Sequence, residues 1–190
     1  MNRIALRLVP FVFALMMVGC ANIKLDTTGA TPATVEKLRA ASLAPAQVGS
    51  FKLAAGKDPA MDTTLSGLRG NTLAPAKGSW SQLLKDTLQT ELTASGLYDP
   101  ASRSVIEGQL TDSKVDAAIG TGTGRLAARF TVTNGGRVVY EKEIAAEASW
   151  ESSFVGAIAI PAAMNQYGAL YKTLVSKLVD DPDFRRALAK

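Results

Sequence analysis

The sequence predicts an α+β fold. It is a two-layer sandwich in which a three- to four-stranded, mostly antiparallel sheet carries two helices on one face, in the order β-α-β-β-β-α. Three observations predict it. Two stretches, beginning at Ser79 and at Pro161, place apolar residues at helical spacing. Several stretches between Gln47 and Trp150 alternate apolar and polar residues with a period of two. Asn134-Gly135-Gly136 joins two of these alternating runs as a tight hairpin, because Asn and Gly tolerate positive φ. Amphipathic helices and a sheet with one apolar face bury their apolar sides against each other.

The chain opens with MNRIALRLVPFVFALMMVGC. Arg3 and Arg7 form a positive start, Leu8 to Val18 is uncharged and apolar, and Gly19 is a small residue before Cys20. This reads as a secretory signal over residues 1–19, too short in its apolar run for the ~20 residues of a membrane-spanning helix. Met17-Val18-Gly19-Cys20 resembles the lipobox of bacterial lipoproteins, with Met17 where Leu is usual. The resemblance implies a diacylglycerol on the Cys20 thiol, cleavage before Cys20 and acylation of the new amine. Several acyl chains on one residue, palmitate among them, hold firmly, whereas one chain anchors only marginally. Ala21, in place of the Asp that retains many lipoproteins in the inner membrane, implies a periplasm-facing anchor in the outer membrane.

Composition sets bounds on the remainder. Apolar residues make up 47% and charged residues 20%, enough to bury a core. Net charge is +4; without Arg3 and Arg7 the 21 basic residues become 19 against 17 acidic ones, a balance that offers no footprint for nucleic acid. There is no histidine, which excludes a Ser-His-Asp triad, a Cys-His pair and a histidine metal site, and the single cysteine excludes an internal disulfide.

Residues 20–46 read as the lipidated Cys20 and a tether. They hold Thr31-Pro32 and Ala44-Pro45, and at most a short helix around residues 34–41. The periplasmic domain is expected over 47–190. Residues 47–54 form its first strand, and 55–78, rich in Gly, Pro, Asp and Thr, a long loop. Ser79 starts a helix whose stripe is Trp80, Leu83, Leu84, Leu88, Glu91 and Leu92, with Gly96 as a left-handed cap. Ile106, Gly108 and Leu110 face inward on the next strand. Val115, Ala117 and Ile119 resume the alternation with shifted parity, which implies a bulge.

Leu126, Ala128, Phe130 and Val132 form one face of the following strand. Val138, Tyr140, Ile144, Ala146, Ala148 and Trp150 share a parity on the return strand, with Glu141 and Glu143 opposite. Ser152–Ile160 is an apolar segment ending at Pro161, which opens the last long helix. That helix has Met164, Tyr167, Leu170, Tyr171, Leu174 and Leu178 inside. Asp181-Pro182 starts a short terminal helix with Phe184 and Leu188.

Leu84-x3-Leu88-x3-Leu92-x3-Gly96, then Ile106-x-Gly108-x-Leu110, a Gly-turned hairpin and a C-terminal helix behind a lipobox resemble small Gram-negative lipoproteins. Among these are the transport-auxiliary lipoproteins that accompany ABC-type lipid transport systems. The similarity covers about residues 47–180, is a pattern rather than a sharp motif, and implies a binding or assembly module without catalytic residues. The 55–78 loop and the apolar 152–160 segment depart from the pattern.

Few residues offer chemistry. Gly120-x-Gly122-x-Gly124 leads into a strand, so it reads as a hairpin connection and not as a phosphate cradle at a helix start. Glu141 and Glu143 read as a solvated strand face, since acid–base work needs groups on opposite sides of a substrate. Trp150, Phe154, Val155, Ile158 and Ile160, with Tyr167 and Tyr171 on the facing helix, are the candidate partner or ligand surface. Core packing under the sheet and an exposed apolar surface are both open readings of this set.

The leading functional reading is a lipid-anchored accessory module that binds an envelope protein in envelope maintenance or transport. The alternative is a domain that binds a lipid or other apolar ligand between sheet and helix. A third is an envelope enzyme using Asp, Glu, Ser, Lys or Tyr alone. No cofactor and no metal is expected.

Overall fold

The computed structural model describes residues 22–26 and 29–190. The predicted signal of residues 1–19, Cys20 and part of the predicted tether lie outside the described residues. In chain order the elements are β1 (Asn22–Leu25), α1 (Pro32–Ala40), β2 (Gln47–Leu53), a 3-10 turn (Pro59–Asp62), β3 (Leu65–Leu68), β4 (Asn71–Pro75) and α2 (Trp80–Ser95). Then follow β5 (Ser104–Asp116), β6 (Gly120–Asn134), β7 (Arg137–Ser152), α3 (Gly156–Asp180) and α4 (Pro182–Ala187).

The expected α+β sandwich is present. Its main sheet has the order β2-β5-β6-β7; β2 runs parallel to β5 and the other pairs are antiparallel. The parallel pair follows from the connection: β2 reaches β5 through α2, and a crossover helix returns the chain in its original direction. Ile106, Leu110, Leu126, Ala128, Phe130 and Val132 are all buried on the inner face. The predicted bulge lies between Leu110 and Asp112, after which Ser113 and Val115 take over the inward positions. Gly135 and Gly136, with φ of 58° and 83°, make the two-residue turn between Asn134 and Arg137.

α2 begins as its sequence dictates. The Ser79 hydroxyl accepts from the Gln82 N–H at 3.2 Å, and Gly96 ends the helix at φ 78°. Leu84, Leu88 and Leu92 are buried against the sheet, and Trp80 is wholly buried at the helix start. On α3, Tyr167, Leu170, Tyr171, Leu174 and Leu178 bury the predicted stripe.

Several expectations are corrected. Within the segment read as a tether, the described residues belong to the folded body. β1 pairs with β4, Leu38 and Leu43 are buried, and Ala44 N donates to the Leu188 carbonyl at 2.7 Å. The Glu91 carboxylate, itself buried, accepts from the Thr31 N–H at 2.9 Å and pins the start of α1. Residues 55–78 are not a loop but carry β3 and β4, which with β1 form a second sheet in the order β1-β4-β3. Gly120 to Gly124 lie inside β6, so the hairpin connection is confined to the few residues before it. Ile119 is exposed and not inward.

α3 starts at Gly156, not at Pro161, because Ala159 and Ala163 are both buried and extending the helix backwards covers more of the sheet. The bond lost at Pro161 would have gone to the carbonyl of exposed Ala157, where water can replace it.

Asp181 ties α4 to β7. Its carboxylate accepts from the Asp183 N–H at 2.9 Å as a helix cap and meets the Lys142 ammonium at 2.6 Å. Burial alone raises this carboxyl, but the bond from Lys142 and those from the Asp183 and Phe184 N–H groups outweigh it, so it sits below its ordinary value.

Two predictions follow from this packing. Leu88→Ala destabilises by about 2–5 kcal/mol, the range for a buried Leu losing most of its side chain. Urea unfolding measures this, and a loss under about 0.5 kcal/mol, typical of surface sites, contradicts the packing. For Asp181 the folded value lies below the unfolded one. Its stabilisation is therefore present above the ordinary carboxylate value near about pH 4 and is lost as pH falls through the folded value. Unfolding curves in acid will show the wild type losing stability more steeply than Asp181→Asn; parallel losses would remove the assignment.

Candidate functional site

At one end of the main sheet β5 turns into β6 and β7 leaves for α3. The side chains there are apolar and open to solvent: Ile119 is 64%, Phe154 78%, Val155 50% and Ile158 60% exposed. No charged residue occurs from Ser152 to Tyr171. Exposed large apolar groups are individually ordinary, but a cluster on one tip marks a contact surface.

The tip is held from below by Arg69. This residue sits in the turn between β3 and β4 with φ 52°, followed by Gly70 at φ 85°. Its Nε donates to the Ala117 carbonyl at 2.7 Å and its Nη1 to the Phe154 carbonyl at 2.8 Å. Nη2 donates to the Ser153 carbonyl at 2.5 Å and to the Ser152 hydroxyl at 3.2 Å. A left-handed backbone costs a non-glycine residue ~1–2 kcal/mol. Four hydrogen bonds from a planar, permanently charged fork offset that cost and fix two loops to each other. The main chain of the second sheet closes in here as well, since Ala117 N donates to the Gly67 carbonyl at 2.8 Å.

The predicted surface set is divided by the structure. Phe154, Val155 and Ile158 form the tip, joined by Ile119. Ile160 is half-buried against the core. Trp150 is half-buried too, with its indole lying across Gly122, where any Cβ would come within 2.3 Å of the ring. That contact explains Gly122.

Tyr167 and Tyr171 do not belong to a surface. Both are buried, and Trp80 packs edge-on against Tyr167 with ring centroids 5.2 Å apart. The Tyr167 hydroxyl lies 2.6 Å from the Ser113 hydroxyl and 3.1 Å from that of Tyr171. Burial pushes both phenols above their ordinary range, so they act as neutral hydrogen-bonding groups.

Beside the tip runs an open groove of about 900 Å³ between β3 and the β5–β7 end of the sheet, with Met61, Leu65, Lys114, Arg125 and Glu147 along it. Lys114, Arg125 and Glu147 are engaged in ion pairs, while Asp58 and Asp116 also line the groove. Arg125 pairs with Glu147 and, at 3.1 Å, with Asp112, which also meets Lys114 at 3.3 Å. Glu141 and Glu143 are exposed on the outer face of β7, and Glu141 stands 4.0 Å from Arg129.

No family model matches the sequence, and no curated protein matches it. Solved structures do. Protein XCC0632 from Xanthomonas campestris, described under the family model DUF330, superposes with a TM-score of 0.54 at 15% identity, over 83% of this chain and 95% of that one. The two chains share a fold. A Caulobacter crescentus protein described as a candidate lipoprotein gives a TM-score of 0.44 at 12% identity, over 81% of this chain and 93% of that one. The minor lipoprotein of Acinetobacter baumannii gives 0.38 at 15% identity, over 75% and 89%.

Arg69 escaped the sequence reading. The available signal was Leu65-x-x-Leu68-Arg69-Gly70-Asn71-x-Leu73, two short apolar runs about a two-residue turn, but Arg is an unusual occupant of a positive-φ turn position. Arg69→Ala is expected to lower global stability by at least ~1.5 kcal/mol, the lower value for one hydrogen bond to a charged group, since four such bonds are lost. It will speed hydrogen exchange around Ala117 and Val155, and Arg69→Lys will not restore protection, because one ammonium cannot span the same carbonyls. Unchanged exchange at both loops would mean the tip is held by something else.

Proposed function

We propose that this chain is a lipid-anchored accessory protein of the Gram-negative envelope. Cys20 ties it to the periplasmic face of the outer membrane, and it works by binding an envelope protein in transport or maintenance, not by catalysis. The observation that carries this reading is the position of the sole cysteine at the end of Met17-Val18-Gly19-Cys20 behind a secretory leader. The shared fold with a Gram-negative protein and the sequence resemblance to transport-auxiliary lipoproteins support it. Among the described residues no helix is long and apolar enough to cross a membrane.

The alternative of an apolar ligand held between sheet and helices loses support. Trp80, Tyr167 and Tyr171 fill that space. The cavity between α2 and α3, bordered by Leu83 and Met164, measures about 250 Å³, under the ~300–1,000 Å³ of ordinary ligand pockets. An enzyme reading would need acid and base groups facing a common point, whereas the groove's two basic side chains, Lys114 and Arg125, are both in ion pairs.

Growth with radioactive palmitate tests the anchor. Wild-type protein is expected to take up label and to sediment with outer-membrane markers, while Cys20→Ser takes up none and leaves the membrane or stalls unprocessed. Unlabelled wild-type protein refutes the lipoprotein reading. Photo-cross-linking in the intact envelope tests the partner, and cross-links to lipid alone would remove the protein-binding part.

A further inference from the structure

We propose that the apolar tip of Ile119, Phe154, Val155 and Ile158 inserts into the surface of the same bilayer that holds Cys20, so that the domain is fixed to the membrane at two points and has one orientation. The proposal rests on the anchoring at Cys20 and adds to it a second contact with a phospholipid surface.

The placement of β1 carries the argument. β1 runs parallel to β4 with Asn22 opposite Thr72, so its first residue lies beside the turn that contains Arg69. Arg69 in turn holds the Ser153 and Phe154 carbonyls. Cys20 is only two residues ahead of Asn22. From extended-chain and strand spacings, the route from Cys20 through Asn22, Thr72 and Arg69 to Phe154 is at most ~30 Å. β1 is not a loose leash, since Ile23 and Leu25 pack against the core and a Cβ at Gly168 of α3 would meet Leu25 at 3.5 Å. Acyl chains leaving at Cys20 therefore enter a bilayer on the side of the molecule where the tip projects.

The tip has the chemistry that this position requires. Its large side chains are exposed, the chain from Ser152 to Tyr171 is uncharged, and the guanidinium beneath it is spent on carbonyls. Apolar side chains on a rigid support enter the headgroup and acyl boundary to a depth of ~5–10 Å without a spanning segment. The opposite end of the molecule provides the contrast. There the hairpin after Asn134 exposes Val138 and Val139 beside the charged Arg137. It stands about 45 Å away along β6 and β7, estimated from strand rise.

The experiment uses the full-length, lipidated chain in vesicles of phosphatidylethanolamine and phosphatidylglycerol. A fluorophore is attached at Ala157→Cys, an exposed position that leaves the tip residues in place, or at Val138→Cys as the distant control. The vesicles carry lipids with a nitroxide high on the acyl chain. The expected result is strong quenching at position 157, none at 138, and loss of quenching at 157 when Phe154→Asp and Ile158→Asp are added. That double variant still melts as the parent does and still floats with the vesicles through its acyl chains. Equal quenching at 157 and 138 in a chain that floats overturns the proposal and leaves the anchor intact. So does a label at 157 that is shielded from a water-soluble quencher yet untouched by the lipid quencher, because a protein then covers the tip. A chain without acyl mass that fails to float overturns the anchor itself, and the proposal with it.

Discussion

The buried face of the four-stranded sheet dictates the arrangement of almost everything else. A sheet that carries Ile106, Leu110, Leu126, Phe130 and Val132 on one side must be covered along its whole width, and neither α2 nor α3 is wide enough alone. The two helices therefore lie side by side, and the seam between them is closed by Trp80, Tyr167 and Tyr171, with Tyr167 edge-on to both other rings. Aromatic rings of this size leave no room for a carried molecule, and their hydroxyls find partners in one another and in Ser113. A core closed in this way pushes function outward, to the ends and the solvent face of the sheet.

The second sheet turns one of those ends into a built surface. β1, β4 and β3 form a small patch that could not stand alone; it is held by burial of Leu65, Leu68 and Leu73 and by close backbone approach at Gly67, where a Cβ would meet the Val115 carbonyl at 2.0 Å. Its turn delivers Arg69 to the point where the main sheet ends. One side chain thereby joins the chain after β5, the chain after β7 and the small sheet. The apolar tip gains rigidity from a residue some 85 positions away from Phe154 in sequence. Rigid presentation matters physically, because a contact surface that is already ordered loses less conformational entropy when it meets its target.

The described residues 22–26 and 29–46 pack on the domain, which bears on the anchor proposed at Cys20. A flexible tether lets a domain stand off a bilayer at any angle. Here β1 is paired two residues after Cys20, α1 is linked to α3 by Lys37 and Asp180 at 2.6 Å, and Ala46 N donates to the Leu97 carbonyl at 2.9 Å. The described residues just after Cys20 are thus part of the folded surface and not a free leash.

The sequence by itself determined the elements whose signals are local. The Ser79 cap and Gly96 stop set α2, the parity change after Leu110 set the bulge, and Gly135-Gly136 set the hairpin, because each depends on residues within one turn or one strand. The resemblance of Met17-Val18-Gly19-Cys20 to a lipobox likewise rests on a contiguous pattern around the only cysteine. Tertiary structure decided the rest. Short strands such as Leu65–Leu68 carry too few residues to show a period, and form only because β4 and the end of β5 await them. Phe154 and Tyr167 look alike in composition, yet one is exposed and the other buried. The difference is whether a partner surface lies opposite, and a one-dimensional pattern carries no record of what lies opposite. The same reason hid Arg69, whose neighbours in space are the carbonyls of residues it never approaches along the chain.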